Sequence, residues 1–392
     1  MNKRQLLRIA GGGFIAAATL STFPGCGNAL PPEAIAAWQP PDDNLDIRRW
    51  VLAHALLAPH AHNLQSWLVD LDQPDTIVLR LDLTRLLPDT DPWSRQLVIS
   101  QGTFIELLDL AARHRGYRAE VEMFPAGVFS ANAPDARPTA RIRLLRDPQI
   151  LTDPLFAHIF QRHTHRGIYD NRVPTPEALQ AMAGSVRGLP VTFGVVTEAD
   201  SAQLQKHRDM ACEAWQIEME TPRTLLESYK VLRVGPQEIA HHRDGLTINT
   251  PMVRALTALG LFDRSKPSAP DSMAIKGQVN EFKVKMASTH ACLWLSTPNN
   301  NRKTQLLAGR AYVRVQLAAT AHGLRMHPLS QALQEYPEQA KPYQAIHHLL
   351  TPEGSATVQM WTRLGYAPLA EAAPRRGLLA HIAKPDRRLD AG

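Results

Sequence analysis

Residues 102–118 lie over residues 309–325 without a gap, and this recurrence constrains the fold more than any other feature of the chain. Gly102 matches Gly309, Leu110-Ala111-Ala112 matches Leu317-Ala318-Ala319, Gly116 matches Gly323, and Arg118 matches Arg325. These six identities in seventeen positions compare with roughly one expected from ordinary residue frequencies. Two readings follow. Two alanine-rich buried helices have converged on similar residues, or a duplication with an offset of 207 residues lets one chain mimic a two-subunit protein. A single recurrence is not a solenoid array.

The flanking patterns read as mixed helix and strand. Leu45–Leu57 has helical spacing and ends before Pro59. Ser66–Leu71 and Thr76–Leu83 read as strands, the second with Ile77, Leu79, Leu81 and Leu83 on one face. Gln101–His114 reads as an amphipathic helix closed by Gly116. Pro190–Val196 and Ala291–Ser296 read as short buried strands, and Asp200–Thr221 as a long helix. Residues 235–275, broken by Gly235, Pro236, Gly245, Pro251, Pro267 and Pro270, read as an irregular segment around a short helix. Such segments often act as lids.

Charge excludes one class of function. The 392 residues carry +6. Lys3, Arg4 and Arg8 supply half of it, and the stretch from residue 369 onward supplies +2. The body between 26 and 368 is therefore near neutral, without the basic stripe a nucleic-acid binder needs. Met1–Arg8 followed by the apolar Ile9–Leu20 has the form of an export signal. Twelve residues at about 1.5 Å each fall well short of the ~30 Å needed to span a bilayer. Lys3-Arg4-Gln5-Leu6-Leu7-Arg8 resembles a twin-arginine signal with lysine in the first position, which places the protein in the periplasm or on the outer face of the cytoplasmic membrane. Cys26 sits in a faint lipoprotein-type box and is a candidate lipid anchor; Cys212 and Cys292 read as core thiols.

Familiar catalytic motifs are absent: there is no phosphate loop, no H-E-x-x-H and no G-x-S-x-G. The pairs His60/His62, His163/His165, His241-His242 and His347-His348 lack partners at ligand spacing, so no metal site is expected. Two segments stand out. Ala58–Trp67 is a polar loop feeding a strand, with Asn63 and Gln65 offering donors and acceptors. Arg162-His163-Thr164-His165-Arg166 sets two guanidiniums around a hydroxyl, chemistry suited to a phosphate or to a solvated helix end.

In these segments the chain resembles the FMN-dependent nitroreductase superfamily, and more narrowly its Acg-like branch of FMN-binding oxidoreductases. Ala58–Trp67 is similar to the family's loop A-P-S-x-x-N-x-Q-P-W, with His60 in place of serine and Ser66 in place of proline. Arg162, His163, Thr164 and Arg166 match its phosphate and ribityl segment. Ala308–Ala311, Ala319–Leu324 and Pro328-Leu329-Ser330-Gln331 resemble the helix and loop beside the flavin ring, with Ser330 where glutamate is frequent. Leu364–Tyr366 and Pro374-Arg375-Arg376 resemble the C-terminal stretch that reaches the phosphate.

The resemblance implies an α+β, nitroreductase-like fold, duplicated into a pseudo-dimer within one chain. Its parts would be an export signal over 1–30, a linker over 31–44, one half over 45–150 and a second over 151–385, with a lid at 235–275. It implies FMN held by His60, Asn63, Gln65, Arg162, His163, Thr164, Arg166, Pro328, Leu329, Ser330, Arg375 and Arg376, with no dedicated general acid or base. The expected activity is electron transfer through FMN to a small aromatic or quinone-like acceptor, by a monomeric pseudo-dimer or a homodimer. A flavin-sequestering protein with little NAD(P)H-dependent turnover is the alternative. An interaction protein on an inactive scaffold is the third reading.

Overall fold

The computed structural model describes residues 29–354 and 356–383. The expected signal and Cys26 lie outside the described residues, apart from residues 29 and 30. Eleven α-helices are described: α1 Pro32–Ile35, α2 Ile47–Ala55, α3 Arg95–His114, α4 Pro176–Gly184, α5 Ser201–Glu220, α6 Pro222–Lys230, α7 Gly235–His242, α8 Pro251–Ala258, α9 Met273–Ala287, α10 Arg302–Ala321 and α11 Ala340–Leu350. The strands are β1 Trp67–Asp70, β2 Thr76–Leu81, β3 Tyr117–Met123, β4 Ala140–Arg146, β5 Thr192–Thr197, β6 Leu232–Val234, β7 Leu246–Ile248, β8 Ala291–Thr297, β9 Leu324–Pro328 and β10 Thr357–Tyr366.

The recurrent segments belong to α3 and α10, which cross at the centre of the molecule. Each helix has 20 residues, and each chain reverses at a left-handed glycine, Gly116 and Gly323, both at φ 73°. That conformation carries a steric cost for any residue with a Cβ. A Cβ on Gly102 would sit 1.9 Å from the Leu306 carbonyl oxygen, and one on Gly309 would sit 1.9 Å from that of Ile99. The contact is reciprocal, because Ile99 and Leu306 share the offset of the two glycines. Arg95 opens α3 and donates to the Leu333 carbonyl after β9; Arg302 opens α10 and donates to the Ala131 carbonyl after β3. Helix α3 is not the one-sided amphipathic helix expected from its sequence. It is buried around most of its circumference, because the first sheet takes one face and α10 takes the other.

Two four-stranded antiparallel sheets flank this crossing, in the orders β1-β2-β4-β3 and β5-β8-β10-β9. Both follow the same succession of two strands, a central helix and two strands. Alternation places the first sheet: Ile77, Leu79, Ala140 and Ile142 face the core, while Arg141 and Arg143 face solvent opposite Glu122 and Glu120. Leu83, expected on the inner face, lies beyond the end of β2 and is exposed.

The halves differ in one connection. Residues 71–75 join β1 to β2, whereas residues 198–290 join β5 to β8 and carry α5 to α9 with the parallel pair β6-β7. This insertion has its own core, including Met219, Leu225, Tyr229, Val253 and Ile275. The expected irregular segment at 235–275 thus contains α7, α8 and β7. Residues 31–44, expected as a linker, carry α1 and the wall residue Trp38. The chain's end also crosses back: Val69 N–H donates to the His381 carbonyl at 2.8 Å, and Ala383 N–H donates to that of Val69 at 2.8 Å.

Gly309→Ala and Gly102→Ala are each expected to destabilise the protein by on the order of 3 kcal/mol, because the clash is with backbone that cannot rotate away. Gly184→Ala, where a Cβ meets nothing within 4 Å, is expected to be near neutral. Urea unfolding midpoints of the three variants measure the difference.

Candidate functional site

The site begins with a strained loop. His62, Asn63 and Gln65 have φ values of 48°, 54° and 54°, a left-handed geometry costing about 1–2 kcal/mol per non-glycine residue. Side chains hold the loop in place. His60 accepts the Ser66 N–H at Nε2 (2.9 Å), which leaves Nδ1 to donate to the Ala61 carbonyl (2.8 Å). Both ring nitrogens are therefore occupied, and the imidazole is neutral. Asn63 donates to the carbonyls of Gly245 and Pro374, and its own carbonyl accepts from Arg375. Gln65 donates to the Arg243 carbonyl (2.9 Å) and accepts the Arg376 N–H (2.9 Å).

This clamp forms one wall of a cavity of about 500 Å³ at the junction of the two halves and the insertion, within the ~300–1,000 Å³ range of small-molecule sites. His60, Asn63, Arg162, His163, Thr164, Arg166, Pro328, Ser330 and Arg375 all line it. Gln65, Leu329 and Arg376 do not line it. Gln65 is consumed by the clamp and Leu329 packs in the core. Arg376 donates back to the Gln65 carbonyl at 2.6 Å and lies near Asp244 and Asp82.

One end of the cavity is cationic. Arg162 donates to the Leu57 carbonyl (2.6 Å) and to Gln316 (3.1 Å). Arg375 donates to the Ala58 carbonyl (3.2 Å). Both stand over the Trp38 ring, at 5.9 and 5.6 Å. Burial pushes Arg162 down to about 10, and burial together with the neighbouring Arg162 and Arg166 pushes Arg375 down to about 9. Arg166 is enclosed by protein yet keeps accessible surface where it lines the cavity. Among the described residues none of the three is paired with a carboxylate. The Nε atoms of Arg162 and Arg375 and the Tyr312 hydroxyl are buried without a partner. Unpaired buried cations and donors at one point suit a dianion.

The wall also contains Trp38, His327 and Lys285, which no motif announced. Trp38 backs the arginines, and its Nε1–H donates to the Ala373 carbonyl at 2.8 Å. His163 packs on Trp38 (4.5 Å between ring centroids) and its Nδ1–H donates to the Ala370 carbonyl. His327 accepts from Arg363 at Nδ1 (3.0 Å), so its proton sits on Nε2; burial holds it well below its ordinary value. Lys285 pairs with Glu281 at 2.7 Å. His62 lines the cavity 3.4 Å from the Ser228 hydroxyl. Among the described residues no three or more His, Cys, Asp or Glu side chains converge as a metal site.

No family model matches the chain. Proteins from two strains of Mycobacterium tuberculosis, each carrying the name NAD(P)H nitroreductase, are 27% identical over 358 residues, covering 87% of this chain and 92% of theirs. Similar solved structures include the FMN-dependent nitroreductase NfnB of Mycobacterium smegmatis with NADPH, at 16% identity and TM-score 0.36, covering 59% of this chain and 97% of that one. Iodotyrosine deiodinase bound to FMN and 3-iodo-L-tyrosine matches at 15% identity and TM-score 0.32, over 59% of this chain and 98% of that one. Structural scores this low carry no assignment.

Burial lowers His60 and His381 to about 3 and His62 to about 4. Unfolded histidines bind protons below about pH 6.5, whereas these stay neutral in the fold. Their stabilisation is thus present above pH 6.5 and is lost as pH falls toward 3, by up to about 1.4 kcal/mol per histidine per pH unit. Urea midpoints are expected to drop steeply between pH 6.5 and 4, and His62→Gln is expected to flatten that slope.

Proposed function

We propose that the protein is an FMN-binding oxidoreductase of nitroreductase type, passing electrons to a small aromatic or quinone-like acceptor. The observation that carries this reading is the unpaired cluster of Arg162, Arg166 and Arg375 at one end of a cavity large enough for a flavin. The relatives named as NAD(P)H nitroreductases support it over most of the chain. A phosphate of about −1.5 to −2 charge would take the free Nε–H donors of Arg162 and Arg375, the Arg166 guanidinium and the Tyr312 hydroxyl. Thr164 supplies a further hydroxyl to the same wall. Asn63 and Gln65 act one step back, the first on the Arg375 guanidinium and the second on the Arg376 backbone N–H. Trp38 fixes the planes of the two guanidiniums. Bound FMN would supply the redox chemistry itself.

The reading includes an internal duplication in which one chain supplies both sides of a single flavin site. The shared strand order, the reciprocal glycine contact and the exchanged arginines support it. It also includes export, with Cys26 as a candidate lipid anchor, supported by the composition of Met1–Leu20. A flavin-sequestering role is favoured by one observation: Gly245–Thr250 and helices α5, α6 and α9 line the cavity from the insertion side, where they would restrict a reductant.

Purified protein is expected to be yellow, with one FMN per chain. Arg166→Ala and Arg162→Lys are expected to lower flavin content at least tenfold, measured by absorbance after denaturation; unchanged flavin would refute the phosphate assignment. Anaerobic mixing with NADPH and NADH separates the two roles: bleaching of the flavin bands supports turnover, and persistent oxidised flavin supports sequestration.

A further inference from the structure

The cavity has a second polar end, built by the insertion. Helices α5 and α9 run antiparallel: Arg208 donates to the Thr289 carbonyl at 2.6 Å, and Trp215 stacks on Phe282 with centroids 4.5 Å apart and planes 7° from parallel. That register sets Glu218 opposite Gln278, one turn beyond the stacked rings. Trp215, Glu218, Gln278 and Phe282 all line the cavity. Three of their polar atoms are buried without a partner: Trp215 Nε1, Glu218 Oε2 and Gln278 Nε2. Glu218 is 4% exposed and Gln278 5% exposed. Leaving such groups unmet is costly, and the surrounding wall of Met219, Leu225, Tyr229, Leu232 and Ile248 offers little to meet them.

Trp215 Nε1–H can only donate. Burial, with a smaller push from Glu227, raises the Glu218 carboxyl to about 7 against opposing hydrogen bonds from Gln334 and Gln331. These donations leave Oε2 as the oxygen able to carry the proton. Below about pH 7, where Glu218 keeps its proton, the three groups form a donor set in an apolar chamber.

We infer that Trp215, Glu218 and Gln278 form a recognition site for the carbonyl-type oxygen of a neutral, planar aromatic ligand. The stacked Trp215–Phe282 pair and the aliphatic wall take the ring, while the three donors converge on the oxygen. Glu281 does not compete for the donors, because it is held by Lys285. An anionic ligand is disfavoured here, because burying its charge in this apolar chamber costs more than three uncharged donors return. The inference rests on the oxidoreductase reading for its biological meaning and names the substrate class of that site.

The test is calorimetric titration of the protein as isolated with 1,4-naphthoquinone, naphthalene and 2-naphthoate, alongside measured flavin content. Wild type is expected to prefer naphthoquinone over naphthalene at least tenfold and to bind naphthoate least. Trp215→Phe and Glu218→Leu are each expected to weaken naphthoquinone binding roughly five- to tenfold while leaving naphthalene affinity unchanged, which also shows that the chamber is intact. Glu218→Gln, which keeps a donor, is expected to retain most of the preference. Equal affinity of wild type for naphthoquinone and naphthalene would overturn the inference, as would parallel loss of both ligands in Trp215→Phe and Glu218→Gln. Flavin-free wild type that still prefers naphthoquinone would overturn only the flavin reading. Yellow protein without the preference would overturn only this one.

Discussion

Backbone contact between α3 and α10 sets the positions of everything else. At Gly102 and Gly309 the helices approach until only hydrogen fits between a Cα and the opposing carbonyl, and interiors packed this densely transmit any displacement. The sheets hang on the outer faces of the two helices, and the cavity opens where the N-terminal turns of α3 meet residues from the second half. Charged contacts reinforce the seam on one side only. Arg310 and Arg314 bind Glu106, and also Asp109 and Asp153 respectively. A pair of helices that is nearly symmetric in backbone is therefore asymmetric in charge.

The site uses that asymmetry. A strained loop from the first half, arginines from the start of the second half and a returning C-terminal segment meet on one side. The β5–β8 insertion covers the same side. The positive φ values at His62, Asn63 and Gln65 persist because carbonyls and guanidiniums from residues 243–245 and 374–376 fix both amide side chains.

Much of the framework was legible in the sequence. Gly116 and Gly323 mark helix ends because the left-handed turn tolerates few other residues. The recurrence located both central helices before any contact was known. Arg162 and Arg166 stood out in the sequence because two guanidinium forks flank one hydroxyl in a five-residue segment, whereas Arg375 came in only through the family resemblance. Gln65 and Arg376 stand behind the cavity wall for a physical reason: an amide or guanidinium serves a backbone carbonyl as readily as a ligand, and only geometry decides which. The one-sided reading of α3 failed because its polar residues Gln101, Thr103 and Glu106 are buried with a carbonyl or an arginine as partner, although the Gln101 side-chain oxygen has none. Trp215, Glu218 and Gln278 carried no signal, since ligands spread over two helices and a long connection obey no short spacing.

The returning C-terminal segment has a consequence for biogenesis. Arg375 completes the cation cluster, and His381 and Ala383 pair with Val69 at the edge of the first sheet. A nascent chain emerges from the ribosome N-terminus first, so the strained loop exists for most of synthesis without the groups that hold it. The cavity can assume its final form only after residues 374–383 have left the exit tunnel. Ligand capture thereby follows synthesis of residues 374–383, and a product that stops short of them would carry an open site with no means of closing it.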